Sequence, residues 1–169
     1  MTYRDIVLTL SPGNFSRLVQ LSTRKFRAEL FQKTGIHKAT RRIIDPVARR
    51  KAATERLHRF FELDDGRQSE VAFRLIYDML AGKRRAMIVD FLDLHEIPHE
   101  DGLTDDLTRL NELTVEELRD SFNKLKEKYP PCDVALYFFF TAGDRDFEAL
   151  SGRLAEMPEL LEALRTEPA

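Results

Sequence analysis

A single cysteine, Cys132, stands in the 169 residues, so no disulfide can close within the chain. Tryptophan is absent while Phe occurs 12 times. A Phe ring carries no polar group that needs a partner, so the aromatic bulk points to core filling. The longest apolar run, Val134 to Phe140, is far short of the ~20 residues a helix needs to cross a bilayer. No glycine-rich phosphate loop, G-x-S-x-G elbow or cysteine pair with metal-ligand spacing occurs, so the chain carries no signature of nucleotide binding, serine hydrolysis or a thiolate zinc site. The start Met1-Thr2-Tyr3-Arg4-Asp5 is polar and unlike a secretory signal. With the lone thiol, this leads to the expectation of a cytoplasmic protein that uses no cofactor.

What is present is ordinary globular material: 43% hydrophobic and 33% charged residues, patterned with the helical period. Ser11-Pro12 suits an N-cap and first helical position, and Phe15, Leu18, Val19, Phe26 and Leu30 mark one helix running to Gly35. Asp45-Pro46 repeats the signature before Val47, Ala53, Leu57, Phe60 and Phe61, and Asp64, Asp65 and Gly66 should close that helix with a turn. Ser69 to Gly82 forms a third helix. Arg84 to about Glu96 forms a fourth, whose wide band of Met87, Ile88, Phe91 and Leu92 suggests a central position. Thr114 and Glu117 make a capping box for a fifth, ended by Pro130-Pro131.

The stretch from Asp133 to Ala142 suits a buried strand or a buried helix by composition alone; a lone strand would leave its backbone groups unpaired, so helix is expected. Phe147, Leu150 and Leu154 mark another helix, and Pro158 opens a last one through Leu164. The expectation is an all-α, compact bundle of seven or eight helices in a single domain over 1–169. A basic part, 1–63, would pack on an acidic part, 67–169.

That division reflects charge. Residues 1–60 hold 14 Lys and Arg against 4 Asp and Glu, a net of +10, while residues 61–169 hold 13 against 25, a net of −12. Steps of about 100° per residue place Arg49, Lys51, Arg56 and Arg59 across the helix from Leu57, Phe60 and Phe61. Lys38, Arg41 and Arg42 precede them, and Arg50 completes a candidate partner-binding set. Either these cations form a solvated face that meets the acidic remainder of the molecule, or they receive an anionic partner. The absence of catalytic signatures favours a non-enzymatic module that binds another protein or pairs with itself. Nucleic acid is the alternative partner for the same residues; a pI of 6.1 and the lack of aromatic residues interleaved with the cations count against it.

One motif points elsewhere. His95-Glu96-Ile97-Pro98-His99 resembles the H-E-x-x-H stretch of zinc metalloproteases, in which two His bind the metal and the Glu acts as general base. That resemblance implies a metallohydrolase, as a remote alternative. It covers five residues and departs from the family pattern at Pro98, because both His must project from an unbroken helix and proline removes a donor there. The competing expectation is a helix C-terminus at His95 followed by a polar turn through Gly102. Cys132, beside Asp133, reads as a packing residue, and His37 and His58 as surface positions among basic neighbours.

Overall fold

The structure is a computed structural model that describes residues 1–63, 66–104, 107–143 and 148–168. It is all-α. Twelve helices lie among the described residues: α1 (Tyr3–Thr9), α2 (Pro12–Leu21), α3 (Arg24–Lys33), α4 (Ile36–Thr40), α5 (Pro46–Glu62), α6 (Gln68–Lys83), α7 (Arg85–Leu94), α8 (Leu107–Glu112), α9 (Val115–Leu125), α10 (Pro131–Ala142), α11 (Glu148–Leu154) and α12 (Pro158–Arg165). None of these is long and apolar enough to cross a membrane. The expected turn residues Asp64 and Asp65, and the expected helix residue Phe147, lie outside the described residues.

The four helices beyond the expected eight have identifiable causes. The single helix expected between Ser11 and Gly35 is two. Ser22 and Thr23 leave helical geometry between them, and Thr23 caps α3 by accepting from the Phe26 amide at 3.3 Å. Asp78 of α6 holds the break open, taking the Thr23 amide at 2.5 Å and the Thr23 hydroxyl at 2.9 Å. The apolar positions stay in phase across the corner, which is why periodicity alone reads through it. Gly35, at φ 73°, then starts α4, whose Ile36 and Thr40 are buried. At the start of the chain Thr2 and Asp5 form a capping box for α1, which buries Ile6 and Val7. The remaining addition is α8, one and a half turns that bury Leu110.

The central element is α10 and not α7. Every residue from Cys132 to Phe138 is buried, and α10 packs against α1, α6, α9, α11 and α12. A helix apolar all round has no face suited to water. By contrast α7 carries Asp90 and Asp93 on an outer face and leaves Leu94 exposed. Buried side chains from Ile6 in α1 to Leu164 in α12 form one connected cluster.

Inside this apolar surrounding sits one carboxylate. Asp133, 3% exposed in the first turn of α10, takes hydrogen bonds at 2.5 Å from Arg17 Nη2 of α2 and at 2.5 Å from Arg84 Nε between α6 and α7. A buried carboxylate is tolerable only when paired, and the two guanidinium groups fasten three segments to one point. The C-terminus is tied down similarly: Asn14 Nδ2 donates to the carbonyls of Leu164 at 3.0 Å and Thr166 at 2.7 Å. Removing the carboxylate in Asp133→Ala leaves two partly buried cations facing apolar neighbours, and urea unfolding should show a loss of about 3–5 kcal/mol. Arg85→Ala, which breaks the exposed ion pair with Asp101, should shift stability by no more than about 0.5 kcal/mol. Equal effects from the two would contradict this assignment.

Candidate functional site, a basic groove

The candidate cations are carried by α4 and α5. Asp45 starts α5 by accepting from the amides of Val47 at 3.4 Å and Ala48 at 2.8 Å, and Pro46 occupies the first helical position. The helix then buries Ala53, Leu57 and Phe61 at the spacing of four that makes one stripe. The cations occupy other azimuths. Lys38, Arg41, Arg42, Arg49, Arg50, Lys51, Arg56 and Arg59 are all exposed.

Among the described residues none of these eight makes an ion pair with a carboxylate. Among the described residues, the cations of the first 60 that find acidic partners are Arg17, and His58 when protonated. Arg49 instead donates to the carbonyls of Ile43 at 2.7 Å and Ile44 at 3.4 Å, and Arg50 to that of Pro46 at 3.4 Å. Bonds to neutral carbonyls hold the side chains in place and leave their charge uncancelled. Among the described residues, no carboxylate of the acidic remainder pairs with this set.

The structure divides the set. Arg50, Lys51 and Arg59 line an open groove of about 940 Å³ between α5 on one side and α2 and α3 on the other. Its other cation is Arg27, whose Nη1 caps the end of α2 on the carbonyls of Val19 and Gln20, each at 2.9 Å. Phe31 and Val47 are the apolar side chains open to the groove, over a floor made by the buried Phe15 and Val19, and Glu55 and Glu62 are its acids. His58, half-buried on the wall, packs edge-on against the Phe15 ring with centroids 5.1 Å apart. Arg49 and Arg56, seven residues apart, lie on the flank of α5 away from the groove. Lys38, Arg41 and Arg42 form a separate group on α4 and its end. Beside them the corner into α5 exposes Ile44 at 89% and Val47 at 66%. Large aliphatic side chains this open are informative only in company, and here they stand among cations.

The groove itself escaped the sequence reading. Its walls meet only because α2 and α3 turn at Ser22–Thr23, and the residues lining it recur on α5 beside the core stripe, where they look like ordinary surface.

The His95–His99 stretch is not helical. α7 ends at Leu94, His95 is its C-cap, and Glu96 takes φ 53°, with a bridge closing the turn from Glu100 to Leu103. The two imidazoles serve different neighbours: His95 Nε2 meets Ser121 Oγ at 2.6 Å, and His99 Nε2 meets Asp93 Oδ1 at 3.1 Å. The Ser121 hydroxyl also donates to the Glu117 carbonyl at 2.7 Å, so it accepts from His95 and has no proton to give that imidazole. No three His, Cys, Asp or Glu side chains gather at metal-binding distance among the described residues. Cys132 is buried, and burial, aided by the Asp133 charge, pushes its thiol up to about 12, away from nucleophilic use.

No family model, no curated protein and no solved structure matches the chain.

His95 provides a pH test of this local arrangement. Burial holds its pKa below the ordinary value, with Arg109 and Lys124 pushing the same way and Glu117 opposing. The unfolded chain then binds the proton more readily than the folded one, so His95 favours folding fully above its ordinary pKa of about 6.5. That contribution is lost as pH falls from there through the folded-state value. Between roughly pH 7.5 and pH 5 the urea midpoint of the wild type should fall relative to that of His95→Gln, which lacks this titration. Parallel curves for the two proteins would contradict the assignment.

Proposed function

We propose that this protein is a non-enzymatic interaction module that receives an acidic protein surface on the basic face formed by α4, α5 and the groove beside them. The observation that carries the reading is the set of eight exposed cations without a carboxylate partner among the described residues, placed next to exposed aliphatic side chains. Uncancelled charge steers an acidic partner to the site, and apolar surface beside it supplies the short-range term that salt does not screen. Ile44 and Val47 have no role in a purely phosphate-directed contact, which favours protein over nucleic acid.

Nucleic acid is the second reading, favoured by one specific grouping: Lys38, Arg41 and Arg42 stand together on and after α4, outside the groove and open to a polyanion.

Two assays separate these readings. Immobilised wild-type protein, incubated with nuclease-treated lysate at low ionic strength, should retain acidic proteins that high salt releases. Replacing Arg41, Arg42, Arg50 and Arg59 together by Glu should lower the retained amount by about tenfold. A gel shift with duplex DNA should show weak binding at most. Strong binding that falls steeply with salt and is lost in the same variant would establish the second reading instead. Retention unchanged in the variant would overturn both.

A further inference from the structure

The groove fits one kind of occupant in particular, and this deepening rests on the interaction reading above. On α5 the residues facing it recur at spacings of three and four, through Val47, Arg50, Thr54, His58 and Glu62. This is a second stripe, distinct from the one that buries Ala53, Leu57 and Phe61. From Val47 to Glu62 a helix advances about 22 Å, so the wall is as long as a partner helix of about 15 residues. Across from it α2 and α3 contribute Phe15, Val19 and Phe31.

We infer that the groove binds an acidic amphipathic helix of another protein, with the partner's apolar stripe on Phe31 and Val47, above the buried floor of Phe15 and Val19, and its carboxylates near Arg50, Lys51 and Arg59. A slot with apolar lining and charged edges matches an amphipathic helix in both respects. A nucleic-acid backbone has no use for the lining, because its phosphates stay hydrated and gain nothing from Val47 or Phe31. Among the described residues a second copy of this chain shows no free acidic amphipathic helix to offer in its folded state. Its own strongly amphipathic helices, α9 and α12, bury their apolar stripes through Leu118, Phe122 and Leu125, and through Leu160 and Leu164. The occupant is therefore a different protein.

Fluorescence anisotropy on the full chain tests this, using a labelled synthetic peptide of about 15 residues with leucines at helical i, i+3, i+4 and i+7 positions and glutamates elsewhere. The peptide should bind at low salt, and two controls should not: the same residues scrambled, and a version with lysines for glutamates. Val47→Asp, at a site too exposed to disturb the core, should weaken binding by about tenfold or more, and Arg50→Glu with Arg59→Glu should do the same. Circular dichroism should show all variants folded. Equal binding of the scrambled peptide, binding of the lysine version, or indifference to Val47→Asp would overturn the inference. So would light scattering that shows the protein dimerising through this groove, or duplex DNA that competes for it while the peptide is ignored. Should the peptide fail while lysate retention still depends on the basic face, only the helix-in-groove assignment falls. Should both fail, the interaction reading falls with it.

Discussion

The carboxylate of Asp133 joins the two electrostatic parts of the chain. It is buried at the start of the most enclosed helix, and it takes one guanidinium from the basic part, Arg17, and one from the junction of α6 and α7, Arg84. Paired in this way its desolvation cost is met by two charge-assisted bonds. The position of α2 follows from that attachment, reinforced at its N-terminus by the C-terminal backbone bonded to Asn14. One wall of the groove is α2, so the geometry of the candidate site depends on an ion pair that is not part of its lining.

The eight cations of α4, α5 and the corner between them find no carboxylate among the described residues. In a chain with a net of +10 in its first 60 residues and −12 in the remainder, attraction between the two parts favours contacts in which they cancel. Instead Arg27, Arg49 and Arg50 bond to backbone carbonyls, which fixes their direction without cancelling their charge. Arg49 and Arg50, exposed near Ile44 and Val47, keep a surface whose long-range attraction and short-range apolar contact act at the same place. Orienting a cation by a neutral acceptor loses less side-chain freedom on binding than leaving it mobile.

The helical class was legible because amphipathic periodicity survives in most long segments, α10 being the exception, and caps such as Asp45-Pro46 and Thr114 with Glu117 sit where their chemistry requires. What was not legible arose from tertiary contacts. The corner at Ser22–Thr23 is held by Asp78, 55 residues away, and no local pattern announces it. The centrality of α10 over α7 depends on Asp90 and Asp93 facing water, which a count of apolar residues does not register. Asp133 looked like a neighbour of Cys132 rather than a clamp, because its partners are distant in sequence. Periodicity places Arg49, Lys51, Arg56 and Arg59 outward and sequence proximity adds the other four cations, but their division into groove-lining Arg50, Lys51 and Arg59 and outlying Lys38, Arg41, Arg42, Arg49 and Arg56 required the third dimension. The five-residue metalloprotease likeness shows the converse: a pattern read without its backbone context, which Pro98 and the left-handed Glu96 deny it.

The central claim is that an acidic helix enters between α5 and the α2–α3 corner. Backbone amide chemical shifts of isotopically labelled protein, followed by NMR as the leucine–glutamate peptide is added, address it most directly. The account predicts that the largest shifts fall along α5 from Val47 to Glu62 and on the facing residues Val19, Gln20 and Phe31. Shifts confined to Lys38, Arg41 and Arg42, or centred on α7 and α9, would contradict it.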